Sequence, residues 1–487
     1  MRTSSAAGTV QRLAAQGHLV GNSWVPSAGA GIHHHRYAAT GEVQAEVGMA
    51  GADDVDAAVT AARAAQPGWA GLGPEGRREV LANLADLLDE HRDEAAELAA
   101  PDNGTPVSVL RPGRYSAAWI RSAADLAVGV HNEPLAVDRG TATVRRVPYG
   151  VVGTIPPWNG SMVGMGQKCG PALAAGNAVV AKPPELAPFG MLRFAELALE
   201  AGLPPGVLNV VVGGSATGAA LAAHRGIDKL TFTGGSATAR QVMAAAAGAL
   251  TPVALELGGK SPNIVFPDAD LDVAATLAAR SGTALLSGQG CALPTRTYVH
   301  EDVYDDVVDR LLTVLATLPV GDPLDPVTFV GPVVTEAAMV RILGVAARAR
   351  SEGATLLVGG ERLGGDLAAG WFVAPTVFGN VDHDSHLARH EVFGPVHAVL
   401  RFSSEAEVLA KANDTPYGLA AYVHTADPDR LERLVSGIES GVVVTNGFGN
   451  LTPGTPFGGV KQSGFGREGG RAGLEEMVQL KTVLTDS

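Results

Sequence analysis

Between residues 150 and 257 the chain alternates short apolar stretches with longer helical ones, and this pattern restricts the fold more than any other feature. The strand candidates are Val151–Ile155, Ala178–Ala181, Leu208–Val212, Lys229–Phe232 and Val253–Leu257. The helical stretches between them are Met162–Ala175, Pro188–Ala201, Ala216–His224 and Ala237–Ala247. Strands that alternate with helices form right-handed βαβ units, in which a parallel sheet is covered on both faces. The pattern therefore predicts an α/β fold.

Polar and glycine-rich segments follow the ends of these strands. They are Pro157-Trp158-Asn159, Lys182-Pro183-Pro184-Glu185, Gly213-Gly214-Ser215 and Thr233-Gly234-Gly235-Ser236. Ligands of parallel sheets bind beyond the carboxyl ends of the strands. Four such segments in succession predict a ligand cleft at this edge, and Glu256 lies at the end of the fifth strand.

The segments on either side of this region predict further elements. Helices are expected over residues 53–65, 74–100 and 114–128, and residues 133–152 read as a β-hairpin that turns at Arg139-Gly140. Residues 477–485 alternate and predict an edge strand. A hairpin with a polar face is suited to pairing with another subunit, so we expect a homodimer or a homotetramer.

Charge and cysteine content exclude several classes of protein. The net charge of −14 argues against a nucleic acid or an anionic membrane as partner. Two cysteines cannot form a disulfide framework, and neither a signal peptide nor an apolar membrane span is apparent, so we expect a cytoplasmic protein. The run His33-His34-His35 lacks the usual spacing of metal ligands and is interpreted as a surface loop; no metal site is predicted.

One of the two cysteines, Cys291, lies in the glycine-rich stretch SGQGCALPTR (residues 287–296). Glycines allow a backbone to approach a ligand closely, so the thiol could face a cleft. Free cysteines are also among the most buried residue types. Taken alone, the stretch favours a buried structural thiol over a nucleophile.

Seven short motifs occur in order along the chain: PWN at 157–159, KPPE at 182–185, FTGG at 232–235, LELGGK at 255–260, GQGC at 288–291, EVFGP at 391–395 and PFGGVKQSG at 456–464. Together they resemble the NAD(P)-dependent aldehyde dehydrogenase superfamily, in its hydrolytic, non-acylating branch. The resemblance covers nearly the whole chain. It implies a Rossmann-type cofactor domain (residues 1–128 and 150–257), an α/β catalytic domain (258–465), and an oligomerisation arm with a C-terminal strand (129–149 and 466–487).

The resemblance also implies a reaction, the oxidation of an aldehyde to a carboxylic acid. Cys291 would attack the aldehyde, and the side-chain amide of Asn159 with the backbone N–H of Cys291 would stabilise the oxyanion. After hydride transfer a thioester would remain on Cys291. Glu256 would then act as the general base for its hydrolysis.

For the cofactor, the resemblance places the adenosine ribose on Lys182 and Glu185. A carboxylate at 185 accepts from a 2′-hydroxyl and repels a 2′-phosphate, which favours NAD over NADP. Glu391 and Phe393 match residues that hold the nicotinamide ribose and ring. The remaining predicted cofactor contacts are Ile155, Pro156, Trp158, Gly213, Gly234, Ser236 and Leu257.

The sequence departs from the family pattern after the PWN motif. The family commonly has an aromatic residue and a proline there, where this chain has Gly160 and Ser161. One and two turns further along, Gly164 and Gln167 stand where relatives for small aldehydes often carry large apolar groups. This predicts a wider tunnel and a substrate bulkier than acetaldehyde. Three alternatives stay open: a coenzyme A-acylating enzyme, an NADP-preferring semialdehyde dehydrogenase, and a non-catalytic member of the fold.

Overall fold

The computed structural model describes residues 2–130, 132–449 and 452–485. The strands are β1 (His18–Val20), β2 (Ser23–Val25), β3 (Ile32–Arg36), β4 (Val43–Gly48), β5 (Glu133–Leu135), β6 (Thr141–Pro148), β7 (Val151–Ile155), β8 (Ala178–Ala181), β9 (Leu208–Val210), β10 (Lys229–Gly234), β11 (Val253–Leu257), β12 (Pro262–Val265), β13 (Arg296–His300), β14 (Thr355–Val358), β15 (Thr376–Gly379), β16 (Val396–Phe402), β17 (Ala420–His424), β18 (Val442–Thr445), β19 (Gly464–Phe465) and β20 (Val478–Thr485).

The helices are α1 (Arg2–Gln16), α2 (Ala52–Gly71), α3 (Gly73–Glu90), α4 (Arg92–Asn103), α5 (Pro112–Val128), α6 (Ser161–Ala174), α7 (Phe189–Glu200), α8 (Ser215–Ala223), α9 (Ser236–Ala247), α10 (Leu271–Thr276), α11 (Tyr304–Ala316), α12 (Glu336–Ser351), α13 (His386–Arg389), α14 (Glu405–Asn413), α15 (Pro428–Gly437) and α16 (Gly470–Glu475). Among the described residues, no helix combines the length and the apolar character needed to cross a bilayer.

The predicted α/β fold is confirmed by an eight-stranded sheet in the order β19-β11-β10-β7-β8-β9-β1-β2. Its five central strands, from β11 to β9, are parallel, as expected. Alternate residues of each strand face opposite layers of helices. Val151 and Val180 pack in one apolar cluster with residues of α2 and α8, and Val152 and Val179 pack in another with residues of α5 to α7. Burial on both faces explains why these strands read as continuous apolar runs.

A second sheet has seven strands in the order β14-β15-β16-β13-β12-β17-β18. The helix that precedes Cys291, α10, ends at Thr276. A π-helix (Leu277–Ala284) and a short 3₁₀ segment (Leu285–Gly288) follow, and these lead directly into the cysteine loop. Insertions of this kind in a helix occur frequently at functional sites.

The predicted hairpin and the C-terminal strand are both present. β5 pairs with β6 in antiparallel register, and β20 pairs with β6 over its whole length, from Val478 with Pro148 to Thr485 with Thr141. These strands form a separate three-stranded sheet, in which β20 and β5 are the two outer strands. We call this sheet the arm.

Two local predictions are wrong, and the N-terminal segment holds an additional helix. The histidine run is not a loop, because His33, His34 and His35 all lie in β3 and pair with β4. The helix expected over 74–100 is two helices, α3 and α4, which meet at His91. The additional helix is α1, at the N-terminus. Each outcome depends on contacts with distant parts of the chain, and local propensity carries no information about such contacts.

Candidate functional site

A cleft of about 500 Å³ opens at the carboxyl edge of the eight-stranded sheet. Loops that follow β7, β8, β9 and β10 form most of its walls, since parallel strands end at the same edge. Eleven of the fourteen predicted site residues line it: Ile155, Pro156, Trp158, Asn159, Lys182, Glu185, Gly234, Leu257, Cys291, Glu391 and Phe393. The sheet thus brings together segments that are more than 200 residues apart in the chain.

The other three predicted residues lie behind the cleft wall. Gly213 is buried, and its carbonyl accepts a hydrogen bond from Lys182 Nζ at 2.7 Å. The hydroxyl of Ser236 donates to the carbonyl of Gln462 at 3.4 Å. Glu256 is 5% exposed and lies at the end of β11, next to Thr233 of β10. None of the three is among the described residues that line the cleft.

One end of the cleft is formed by the segment after β8. Lys182 is buried there, and burial lowers the pKa of its ammonium group to about 8. Glu185 is half-buried, and a Cβ placed on Gly214 would lie 3.3 Å from its Oε1. A glycine at 214 therefore leaves the Glu185 carboxylate free to occupy this wall.

The opposite end is formed by Trp158, Phe393 and Glu391. The two aromatic rings meet edge to face, with centroids 5.5 Å apart. Glu391 Oε1 accepts from the backbone N–H of Gly259 at 3.1 Å. Burial raises the pKa of the Glu391 carboxyl to about 7. A Cβ on Gly258 would lie 2.1 Å from Glu391 Oε2, so the close approach of this carboxylate requires glycine.

The loop that carries Cys291 has an unusual backbone. Leu286 and Ser287 have φ values of 51° and 53°, in the left-handed region that residues with side chains rarely adopt. Two side chains fix this conformation. Ser287 Oγ donates to the carbonyl of Gly331 at 2.7 Å, and Gln289 Oε1 accepts from the N–H of Val334 at 3.0 Å. Strain of this kind is common at functional sites, where the surrounding structure maintains it.

Asn159 connects the sheet edge to the cysteine loop. Its Nδ2 donates to the carbonyl of Gln289 at 2.8 Å. A carboxamide nitrogen has two protons, so a second N–H is available to a ligand beside Cys291. Burial, followed by the charges of Glu391 and Glu256, raises the pKa of the Cys291 thiol to about 12. The thiol of Cys291 is therefore protonated at neutral pH in the protein alone.

Two charged residues that the sequence analysis missed lie near Glu256. Lys168 Nζ donates to Glu468 Oε1 at 2.6 Å and to Thr231 Oγ1 at 3.0 Å, and the lysine is almost completely buried. Burial and the charge of Glu468 raise the pKa of Glu256 to about 9. Glu468 lies shortly after the last family motif in the chain. This closeness was the only feature of the sequence that could have marked Glu468 as a residue of the site.

The second cysteine has no access to the cleft. Cys169 is fully buried in α6, and burial raises the pKa of its thiol to about 12. Of the described residues, His383, Asp384 and Asp414 lie close enough to share an ion. Arg389 pairs with both aspartates, at 3.1 Å and 2.7 Å, so we infer no metal site there.

Known proteins resemble this chain in sequence and in fold. The sequence model of the aldehyde dehydrogenase family matches residues 24–483. HpcC from Thermus thermophilus is 37% identical, with a TM-score of 0.95 over 100% of this chain and 95% of that chain. An NADP-dependent enzyme from E. coli is 35% identical, with a TM-score of 0.94 over 98% of this chain and 99% of that one.

A third solved structure is an NAD⁺ complex of an aldehyde dehydrogenase from Bacillus cereus. It is 37% identical, with a TM-score of 0.93 over 96% of each chain. Both the sequence match and the structural likeness extend over nearly the whole length. The chain therefore belongs to the aldehyde dehydrogenase family and has its α/β fold.

Proposed function

We propose that this protein oxidises an aldehyde to a carboxylic acid with NAD, through a thioester on Cys291, and that water releases the acid. The observation that carries the proposal is the shared cleft. Cys291 and Asn159 line it together with the Glu391–Phe393 end and the Lys182–Glu185 end. Glu256, a buried carboxylate whose charge influences the thiol, lies just behind. We also propose that the eight-stranded sheet belongs to a cofactor domain and the seven-stranded sheet to a catalytic domain.

The residues of the cleft fit a dinucleotide. Lys182 and Glu185 would hold the adenosine ribose, and Glu391 with Phe393 the nicotinamide ribose and ring. Between them, Gly234 and Gly235 precede α9, so the first N–H groups of that helix can meet a pyrophosphate. The Ser236 hydroxyl is engaged with Gln462, so this contact is proposed for the backbone alone. When bound, the oxidised dinucleotide supplies a cationic ring that offsets nearby negative charge and the acceptor for a hydride.

The first half of the reaction takes place at Cys291. The thiol loses its proton, and the sulfur attacks the aldehyde carbon, so that the carbonyl oxygen becomes an oxyanion. The free N–H of Asn159 and the backbone N–H of Cys291 are the donors that we assign to this oxyanion. Loss of a hydride from the adduct then leaves a thioester on Cys291.

The second half of the reaction requires a base for water. Glu256 is the carboxylate that we assign to it, because its buried side chain retains high basicity and lies within electrostatic range of Cys291. Glu256 takes a proton from the water that adds to the thioester, and the carboxylic acid leaves as the bond between carbon and sulfur breaks. The proton then passes to the sulfur of Cys291. Enzymes of the family that pass the acyl group to coenzyme A commonly lack this glutamate. Its presence therefore supports the hydrolytic branch.

Replacement of Glu256 by Gln should separate the two halves. We expect Glu256→Gln to give one burst of NADH per active site and then a steady-state kcat lower by about 10²–10⁴-fold, since general-base catalysis is lost. The thioester should be detected on Cys291 by mass spectrometry of the quenched enzyme. The exposed Glu361→Gln is the matched control and should turn over normally.

The pH dependence of turnover, measured for the wild type and for Glu256→Gln, is a second test of the role of Glu256. Only ionised Glu256 can act as the base, and burial raises its pKa to about 9, so wild-type deacylation should accelerate with rising pH up to about 9. In Glu256→Gln the rate of deacylation should not rise with pH in this way. Restoration of its turnover by coenzyme A, rather than by hydroxide, would instead favour the acylating alternative. Absence of any NADH burst from the wild type with a panel of aldehydes would favour a non-catalytic protein.

The choice between NAD and NADP rests on Glu185. Its carboxylate lies on the cleft wall beside the buried Lys182, where it can accept from a 2′-hydroxyl and would repel a 2′-phosphate. The related structures include an NADP-dependent enzyme and an NAD⁺ complex, so the likeness is compatible with either cofactor. We propose NAD because a like charge next to a phosphate is costly.

Neutralising Glu185 should relax this preference. We expect Glu185→Gln to raise kcat/KM for NADP relative to that for NAD by about tenfold or more, since one unfavourable charge pair is removed. Glu200→Gln, which changes an exposed glutamate at the end of α7, should leave the ratio unchanged. An unaltered ratio in Glu185→Gln would show that this carboxylate does not select the cofactor.

The size of the aldehyde is proposed from the residues near Cys291. Gly160 and Gln167 are half-exposed on α6 and the turn before it. Gly164 has a different role, because a Cβ there would lie 3.2 Å from the Cβ of Pro156, so close packing explains that glycine. Ala292, next to Cys291, lines a second cavity of about 350 Å³, whose lining among the described residues holds aromatic and aliphatic side chains and no charge. This space favours a bulky, uncharged aldehyde.

A panel of aldehydes tests the size preference. We expect kcat/KM for benzaldehyde or hexanal to exceed that for acetaldehyde, and Gln167→Trp to reduce the advantage by filling space on α6. Gln11→Trp, at an exposed position of α1, controls for the added indole. A clear preference of the wild type for acetaldehyde would overturn the proposal.

The arm supports a homo-oligomer. On β20, Leu480 and Leu484 are 69% and 70% exposed in the single chain. An outer strand with exposed leucines is a site for pairing with another chain. We propose that the arm joins subunits into a dimer or a tetramer.

Charge on β20 should weaken this assembly. We expect the double variant Leu480→Glu and Leu484→Glu to lower the mass measured by light scattering relative to the wild type, because two carboxylates would have to be buried on association. Leu250→Glu, at a leucine that is 89% exposed outside the arm, is the control. A monomeric wild type, or an unchanged oligomer in the double variant, would contradict the proposal.

A further inference from the structure

The histidine run at residues 33–35 brings one imidazole into the interior. His34 is exposed on β3, whereas His35 is only 1% exposed. The ring of His35 lies 4.7 Å from that of Phe189, at the start of α7, centroid to centroid. The site described above uses no residue of β3, so this buried polar group needs a separate explanation.

The protonation of His35 is fixed by its neighbour Gln44 on β4. Gln44 Nε2 lies 2.6 Å from the carbonyl of Pro101, which can only accept, so the atom there is the amide nitrogen. The same nitrogen lies 3.0 Å from His35 Nδ1. Nδ1 is therefore an acceptor, and the proton of the neutral ring is on Nε2. Burial lowers the pKa of His35 to about 4, so the ring stays neutral at pH 7.

The Nε2 proton has a specific acceptor. His35 Nε2 lies 3.1 Å from the carbonyl oxygen of Leu186, the residue that follows Glu185. Leu186 lines the cleft together with Lys182 and Glu185. The β3–β4 hairpin thus holds the backbone of the segment that we assign to the adenosine ribose.

The far end of this segment is held by the neighbouring carboxylate of Asp102. Asp102 accepts from the N–H groups of Phe189 and Gly190, at 3.1 Å and 2.9 Å, and its Oδ1 lies 3.8 Å from His35 Nε2. The segment from Leu186 to Gly190 is therefore anchored on two adjacent buried side chains. Removal of the His35 donor would leave the Leu186 carbonyl without this partner and allow Glu185 to move.

We propose that His35 is a positioning residue for the dinucleotide. Its Nε2–H fixes the Leu186 carbonyl and thereby sets the direction of the Glu185 carboxylate toward the adenosine ribose. The inference rests on the proposed function, because it assumes that the segment binds NAD. His35 itself touches neither the substrate nor the reacting atoms.

Two substitutions at position 35 separate the hydrogen bond from the bulk of the ring. His35→Phe keeps a ring of similar size without a donor, and we expect it to raise the Kd of NAD about tenfold, since a buried carbonyl loses its partner. His35→Gln places an amide N–H near the position of Nε2 and should restore affinity to within about threefold. In both variants kcat at saturating NAD should stay within about twofold of wild type, because Cys291, Asn159 and Glu256 are unchanged.

The experiment is a titration of the purified full-length protein with NAD, and with ADP-ribose as a probe that lacks the nicotinamide. His34→Phe, on the exposed face of the same strand, is the matched control and should bind both ligands like the wild type. Weaker binding of both ligands by His35→Phe, with rescue in His35→Gln, supports the proposal. Equal affinity of wild type and His35→Phe overturns it, and so does an equal loss in both position-35 variants.

The controls distinguish this inference from the proposed function. If the wild type fails to bind NAD, the proposed function is wrong. If the wild type binds and His35→Phe binds equally well, only the role of His35 is wrong. Should His35→Phe fail to fold, His35→Met removes the same donor with a flexible apolar side chain that can adapt to the buried site. A several-fold loss of NAD affinity with unchanged kcat then supports the proposal, and unchanged affinity overturns it.

Discussion

The parallel pairing of β7 with β8 and β10 is the interaction on which the site depends. The pairs Thr154 with Ala181 and Ile155 with Phe232 bring three strand ends to one edge. Because parallel strands all point the same way, every loop that follows them opens on the same side. Asn159, which we propose as the oxyanion donor, the Lys182 segment and the glycine turn before α9 are therefore neighbours, although about 75 residues separate the first from the last.

Three strands of this sheet could be predicted to the residue, and β9 and β10 to within two residues at their ends, whereas the contacts around the strands could not be predicted. Strands β7, β8 and β11 begin and end where their apolar runs do, because they are buried on both faces and turn residues flank them. His35 was misassigned because its burial depends on Leu186 and Asp102, 151 and 67 positions away in the chain. The pair Lys168 and Glu468 spans 300 residues. No local pattern carries such information, whereas the family resemblance predicted eleven of the residues that line the cleft.

Charge around Cys291 opposes its activation in the protein alone. Glu256 and Glu391 both raise the pKa of the thiol, and burial raises the pKa values of these two carboxyls to about 9 and about 7. Three adjacent groups that resist ionisation keep the site close to neutral, since several buried anions cannot coexist at low cost. The thiol of such a site is less nucleophilic than an exposed cysteine thiol at neutral pH, because little of it is ionised. The buried Lys168–Glu468 pair beside Glu256 adds no net charge of its own.

The side chain of Asn159, the proposed oxyanion donor, is also hydrogen-bonded to the loop that carries Cys291, the proposed nucleophile. One N–H of its amide binds the Gln289 carbonyl, two residues before Cys291, and the other is left for substrate. The left-handed residues Leu286 and Ser287 make that loop costly to form, and contacts with Gly331 and Val334 hold it in place. Because Asn159 is hydrogen-bonded to the loop that carries Cys291, this bond restrains the position of the amide relative to that loop. A fixed distance between them is what electrostatic stabilisation of an oxyanion requires.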